Sequence, residues 1–270
     1  MVKLAVCVEP LFTELPFLER IRRVGELGFP AIEFWFVDRH FDGIELVPEE
    51  RDIAALQKTC QEVGVEVADF VLSSPEGDIG GAMVNPADRQ RYLKSLRQLS
   101  PIAKELGCTQ FITCTGNLVP DLSREEQHRS AVETLQAAAP LAQEAGLTLL
   151  LEPLNIRVDH PGYFLDSAYE GAQIVREVNH PNVRLLYDIY HMQIMEGNII
   201  SFIESNIDII GHFHAAGVPG RHELYLSELN YPYIVKRIDE LGYKGYFGLE
   251  YWPTKDSAQS LKEVKALLEG

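Results

Sequence analysis

The 270-residue sequence carries four cysteines, Cys7, Cys60, Cys108 and Cys114, and no Cys-x-x-Cys pair. That scarcity excludes a zinc knuckle and a thioredoxin-like redox motif. Isolated thiols inside apolar runs, as at Cys7 and Cys114, behave as small hydrophobes, so all four are expected to be reduced and structural. A cytoplasmic location is the default that follows. Basic residues are also in short supply, 24 against 40 acidic ones, for a formal net charge of −16. Such a chain repels nucleic acid and anionic membranes. No apolar run approaches the roughly 18 residues a membrane span needs. The N-terminal apolar stretch lacks a basic start and is interrupted by Glu9 and Pro10, so it reads as a strand and not as a signal peptide. There is no G-x-S-x-G elbow, phosphate loop or dinucleotide fingerprint, which argues against a Ser-His-Asp hydrolase and makes phosphorylated substrates less expected.

What the sequence does have is regular alternation. With 46% hydrophobic and 24% charged residues it is ordinary globular material, not a disordered chain. Short apolar runs suggest strands at 3–8, 31–34, 66–72, 110–114, 148–152, 184–188, 209–214 and 246–250. Amphipathic stretches between them suggest helices at 15–27, 49–63, 86–106, 124–145, 167–178, 199–206, 231–241 and 258–268. Gly28, Gly64, Gly107, Gly146 and Gly242 follow helical stretches, as left-handed C-terminal caps do. Strict β/α alternation implies parallel strands, and eight units are the number that closes a (β/α)8 TIM barrel of roughly 250 residues. An open doubly wound sheet would open with a glycine-rich turn, and Glu9-Pro10-Leu11-Phe12-Thr13 is nothing like one. With no linker or low-complexity segment, residues 1–270 read as one domain.

In such barrels the chemistry sits at the carboxyl ends of the strands. Four consecutive strands finish on Glu152, Asp188, His214 and Glu250, spaced by 36, 26 and 36 residues. Neighbouring strands should bring these groups together on one side of the mouth. Three carboxylates and an imidazole would repel one another without a cation. With a divalent ion they form a ligand set suited to Mn²⁺, Mg²⁺ or Co²⁺, and also to Zn²⁺, with coordination positions left for substrate oxygens. His212 shares strand parity with His214 and is expected one layer deeper, as a core group.

The stretches Leu151-Glu152-Pro153-Leu154-Asn155, Tyr187-Asp188-Ile189-Tyr190-His191-Met192-Gln193, Gly211-His212-Phe213-His214, Pro219-Gly220-Arg221-His222-Glu223 and Gly248-Leu249-Glu250-Tyr251 resemble the hydroxypyruvate isomerase family. That family lies within the sugar isomerase/epimerase (xylose isomerase-like) barrels. The resemblance covers essentially the whole chain, with its sharpest motifs in the second half. It implies that Glu152, Asp188, His214 and Glu250 bind one divalent metal and that Glu152 and Glu250 are also the acid/base pair. His191 and Arg221 match positions that contact substrate oxygens. For His191 the alternative is burial beneath Met192 and Met195; for Arg221 it is a surface ion pair with Glu223 or Glu228. His222 stands between a substrate contact and an exposed loop. Trp35, with Phe36, Tyr163, Tyr251 and Trp252, follows strand ends where aromatics can exclude water and pack on a sugar face.

The implied activity is aldose–ketose isomerisation of a small hydroxy-carbonyl compound through an enediolate, foremost hydroxypyruvate to tartronate semialdehyde. The alternatives are a ketose 3-epimerase and a metal-dependent C-glycoside-cleaving or lyase subunit that needs a partner chain. One departure bears on the substrate. The family usually continues Gly-Arg-His-Glu with Pro-Gly-Thr-Gly, whereas here Leu224-Tyr225-Leu226-Ser227 follows. A repair nuclease on the same barrel would need further histidines after strands three and four. Those positions read Ser73-Ser74-Pro75 and Thr115-Gly116-Asn117. A non-catalytic binding barrel would be expected to have lost one of the two glutamates. The partners expected are a small-molecule substrate, with no nucleic acid and no membrane; a homo-oligomer, dimer or tetramer, is left open.

Overall fold

A computed structural model describes residues 2–270. Its strands are β1 (Lys3–Cys7), β2 (Ala31–Phe34), β3 (Arg39–Phe41), β4 (Leu46–Pro48), β5 (Glu66–Ser73), β6 (Gln110–Thr113), β7 (Thr148–Leu151), β8 (Val183–Asp188), β9 (Ile210–Ala215) and β10 (Tyr246–Leu249). All but β3 and β4 close into a barrel in the order β1-β10-β9-β8-β7-β6-β5-β2, with every pairing parallel. The expected (β/α)8 barrel is therefore the fold, with all eight expected strands in their places.

The helices are α1 (Phe17–Glu26), α2 (Ile53–Val63), α3 (Arg89–Leu106), α4 (Arg124–Ala145), α5 (Ala168–Val178), α6 (Ile189–Met195), α7 (Ile199–Asn206), α8 (Tyr231–Glu240) and α9 (Ser257–Glu269). Their starts follow local chemistry. Ser123 and Glu126 form a reciprocal capping box on α4, and Asp52, Ser167 and Asp256 cap α2, α5 and α9. Gly64, Gly107 and Gly146 adopt left-handed conformations at the ends of α2, α3 and α4, as their positions predict. None of the described helices is long and apolar enough to cross a membrane.

Two elements depart from the sequence reading. The stretch expected to start a helix at Glu49 instead follows an antiparallel hairpin, β3–β4, and α2 begins only at Ile53. The seven-residue α6 follows directly on β8, where Asp188 ends the strand and caps the helix at once. The apolar core lies between barrel and helices and includes Cys60, Cys108 and Cys114; Cys7 is buried as well, and all four thiols are unpaired. Glu9, at the end of β1, is fully buried and pairs with Arg51 at 2.9 Å; Arg51 also stacks 3.5 Å from the Phe17 ring. It thus serves packing beneath the hairpin.

Candidate active site

The barrel register builds the site. Asp188 pairs with His214 across β8 and β9, while Glu152 and Glu250 are the first residues beyond β7 and β10. All four side chains are buried. His214 Nδ1 stands 3.5 Å from Glu152 Oε1 and 3.4 Å from Glu250 Oε2. Ligand atoms of Asp188, His214 and Glu250 all lie within 4.8 Å of one another, as do those of Glu152, Asp188 and His191. The quartet expected from the sequence is therefore gathered at one side of the mouth.

Its electrostatics are unbalanced in an informative way. Burial raises the Glu152 carboxyl and pushes Asp188 up to about 7. Burial acts the same way on Glu250, but the Arg221 guanidinium, His214 and the Trp35 indole override it and hold Glu250 well below the usual carboxylate range. Burial alone would keep His214 neutral, yet Glu33, Glu152 and Glu250 raise it well above the ordinary imidazole value. These are the strains of anionic groups crowded without enough positive charge. Both ring nitrogens of His214, both Glu33 carboxylate oxygens and His191 Nε2 are buried without a hydrogen-bond partner. Oxygen donors converging on a free imidazole nitrogen fit a divalent ion, which Glu152, Asp188, His214 and Glu250 would hold.

His191 occupies the first turn of α6, where its backbone N–H donates to Asp188 Oδ1 at 3.0 Å. Its Nδ1 accepts from the Asn155 backbone N–H at 3.2 Å and lies 2.7 Å from Asn155 Nδ2. Both contacts leave the ring proton on Nε2, 3.6 Å from Asp188 Oδ2. Burial, and then the Arg221 charge, hold this ring well below the usual range, so it is neutral. His191 thus presents one N–H donor to the cavity.

Arg221 is held at φ 57°, a left-handed conformation rare outside glycine. Its Nη2 donates to Glu250 Oε2 at 2.6 Å, and its guanidinium lies 5.2 Å from the Tyr190 ring centre. Trp35 Nε1 donates to the other Glu250 oxygen at 2.6 Å, and its ring meets Trp252 edge-on. The cavity over these groups has a volume of about 380 Å³, and its rim includes Arg39 and Leu46 of the hairpin. His222 stands apart from that lining, its Nδ1 2.9 Å from the Trp252 carbonyl. Glu223 braces the same loop, accepting from Thr254 N at 2.9 Å and from the Ser260 hydroxyl at 2.9 Å.

Several groups escape the sequence reading. Glu33 and Asp69 project from β2 and β5 into the barrel, where His212 Nε2 lies 2.8 Å from Glu33 and 3.5 Å from Asp69. His212 is inside the barrel as expected, but in a polar cluster. The signal was an acid inside each apolar run, Glu33 within 31–34 and Asp69 within 67–72. Tyr163, named from the sequence among the aromatics after strand ends, is buried and donates its hydroxyl to the Glu152 carbonyl at 2.8 Å, which fixes the end of β7. His160 lines the cavity, and burial pushes its pKa down to about 4.

A barrel with buried acids and a histidine at its carboxyl mouth defines a class of enzyme, and comparison with known proteins places the chain within it. Residues 21–269 match the model of the xylose isomerase-like TIM barrel family. A 2-oxo-tetronate isomerase of Cupriavidus necator is 32% identical over 270 residues, covering 99% of each chain. The Escherichia coli hydroxypyruvate isomerase is 28% identical, covering 97% of this chain and 98% of its own. The crystal structure of a Brucella melitensis protein described as an AP endonuclease, family 2, aligns with a TM-score of 0.87 at 31% identity, over 98% of this chain and 99% of that one. The chain belongs to the xylose isomerase-like TIM barrel family, and it is an isomerase of the sugar-isomerase type.

Proposed function

We propose that the protein is a metal-dependent, cytoplasmic aldose–ketose isomerase that interconverts hydroxypyruvate and tartronate semialdehyde. The observation that carries this reading is the convergence of Glu152, Asp188, His214 and Glu250 in a cavity roofed by aromatic side chains. A divalent ion bound there, Mn²⁺, Mg²⁺ or Co²⁺ foremost and Zn²⁺ as well, supplies Lewis-acid stabilisation of the oxygen that gains charge.

The chain's own residues divide the remaining work. Glu250, held ionised by Arg221 and Trp35, removes a proton from the hydroxymethyl carbon of the substrate. The C–H electron pair becomes the carbon–carbon double bond of an enediolate, and the carbonyl pair moves onto oxygen. Glu152, whose buried carboxyl favours its protonated form, returns a proton to the neighbouring carbon. A hydroxyl proton moves between the two oxygens, so atoms balance. The His191 Nε2–H donates to the developing oxyanion, and Arg221 pairs with the substrate carboxylate. Trp35 and Trp252 keep water from the enediolate.

The cavity is roomier than a three-carbon acid requires, and this favours a second reading: a four- to six-carbon keto acid or ketose, with isomerisation or 3-epimerisation at the same site. The −16 charge and the absence of histidines at Ser73, Ser74 and Thr115 speak against a DNA substrate. The test is NMR-monitored exchange in D₂O with Mn²⁺-reconstituted protein and three- to six-carbon substrates. Deuterium is expected at the hydroxymethyl carbon of hydroxypyruvate alongside tartronate semialdehyde. Exchange only at carbon 3 of a ketose would replace isomerisation with epimerisation. No exchange in any hydroxy-carbonyl compound would end both readings.

A further inference from the structure

The quartet leaves one interaction unexplained. His214 Nδ1 faces the carboxylates of Glu152 and Glu250, while its other nitrogen, Nε2, points down the barrel axis to Glu33 Oε2 at 3.2 Å. Glu33 is 1% exposed, comes from the far strand β2, and shares its second oxygen with His212 Nε2 at 2.8 Å. The contact exists because β10 carries no side chain where it would pass. Gly248 pairs directly with His214, and a Cβ there would lie 2.5 and 2.6 Å from the two Glu33 carboxylate oxygens and 2.6 Å from His214 Cδ2. A Cβ at 248 would force the Glu33 carboxylate or the His214 ring to shift, so glycine there keeps open the passage through which Glu33 reaches the ring.

We propose that Glu33 is a positioning residue for the cation site: its carboxylate, at ion-pair distance from Nε2, favours the ring proton there and so leaves the Nδ1 lone pair facing the cation. The inference rests on reading the quartet as a cation site. A neutral imidazole carries its proton on one nitrogen only. Without Glu33 that proton would be drawn to Nδ1 by Glu152 and Glu250, and it would then occupy the ligand position. A buried carboxylate on the far nitrogen removes this competition and fixes the ring plane. Gly248 acts through Glu33, and His212 with Asp69 completes the packing around that carboxylate.

The test compares Mn²⁺ binding by calorimetry in the native chain, Glu33→Gln and Gly248→Ala, with thermal melts of the metal-free proteins as the control for folding. Both variants are expected to bind Mn²⁺ about 10–100-fold more weakly while still melting cooperatively. A folded Glu33→Gln with native Mn²⁺ affinity would overturn the proposal. So would two Mn²⁺ per native chain with one lost in Glu33→Gln, since the interior cluster would then itself be a cation site. A native chain that binds no Mn²⁺ would instead overturn the metal-dependent function, and the positioning role with it. Because the variants can fail to fold, long-range ¹H–¹⁵N correlation of the imidazoles in the native Zn²⁺-loaded chain supplies a second readout. His214 protonated at Nε2 is expected; a proton on Nδ1 refutes the assignment.

Discussion

The division of labour between the two glutamates can be tested by replacing each with its amide. Glu152→Gln and Glu250→Gln preserve shape but remove the proton-transfer group. A positioned acid or base is worth about 10²–10⁴ in rate, or roughly 3–5 kcal/mol of barrier. Each variant should therefore lose net conversion to that extent or beyond, even at saturating Mn²⁺. The structure makes the two losses differ in kind. Glu250 is held ionised by Arg221 and Trp35 at 2.6 Å each, which makes it the proposed base; Glu152, raised by burial, is the proposed acid. In D₂O, Glu152→Gln should still exchange the substrate's hydroxymethyl hydrogens while forming little product. Glu250→Gln should do neither. Stability separates them again: Glu250→Gln weakens a charge-assisted hydrogen bond from buried Arg221, worth about 1.5–3 kcal/mol. That lowers the melting temperature of the metal-free protein by roughly 3–10 °C. Glu152 accepts no such bond from a permanently charged partner, and its variant should melt closer to the native chain. Native turnover in either variant would refute the acid/base assignment, and the exchange pattern appearing in reverse would swap the roles.

Exhaustive chelation should stop catalysis, with Mn²⁺, Mg²⁺ or Co²⁺ restoring it; activity that survives chelation in a protein shown metal-free by elemental analysis refutes the metal requirement. The Asp188 carboxyl, pushed up to about 7 by burial in the metal-free site, must give up its proton to a cation. Mn²⁺ affinity should consequently rise with pH through about 7, with calorimetric proton release on binding. By the same linkage the metal-free chain draws the full contribution of protonated Asp188 only below the ordinary carboxyl value of 3.8 and loses it progressively as pH rises to about 7, because over that span the unfolded carboxyl has already ionised. A melting temperature of the chelated protein that climbs steadily between pH 5 and 8 would contradict this. Arg51→Ala strands the fully buried Glu9 carboxylate and should cost about 3–5 kcal/mol in denaturant unfolding. Its kcat should stay near native, since Glu9 and Arg51 serve the hairpin's seat and not the chemistry.

The barrel and the four groups gathered at its mouth were legible because both obey sequence rules that act locally. Alternation of apolar runs with amphipathic stretches defines the eight units, and glycine after five of the eight helical stretches marks where to cut. Strand ends then follow, and with them Glu152, Asp188, His214 and Glu250, since position along a strand of this fold is also position relative to the mouth. The hairpin at 39–48 was hidden for the opposite reason. Its residues are half-exposed, and Arg39-His40-Phe41 and Leu46-Val47-Pro48 are too short to show a period. Helix α6 was hidden by its length and by Asp188, which ends a strand and starts a helix at the same residue.

The interior cluster marks a deeper boundary. Glu33 and Asp69 look like exceptions in apolar strands, and no rule of local pattern says what they face. Their meaning comes from closure: only when β2, β5, β9 and β10 curve round does the carboxylate of Glu33 come to lie between His212 and His214, in the gap left by Gly248. The same holds for Asn155, which reads as a loop polar residue until its backbone N–H is found on His191 Nδ1. The four acidic and imidazole groups gathered at the mouth sit at strand ends and can be named from the chain. Groups that decide which nitrogen of a histidine carries the proton belong to other strands or loops, and only the closed barrel brings them into contact.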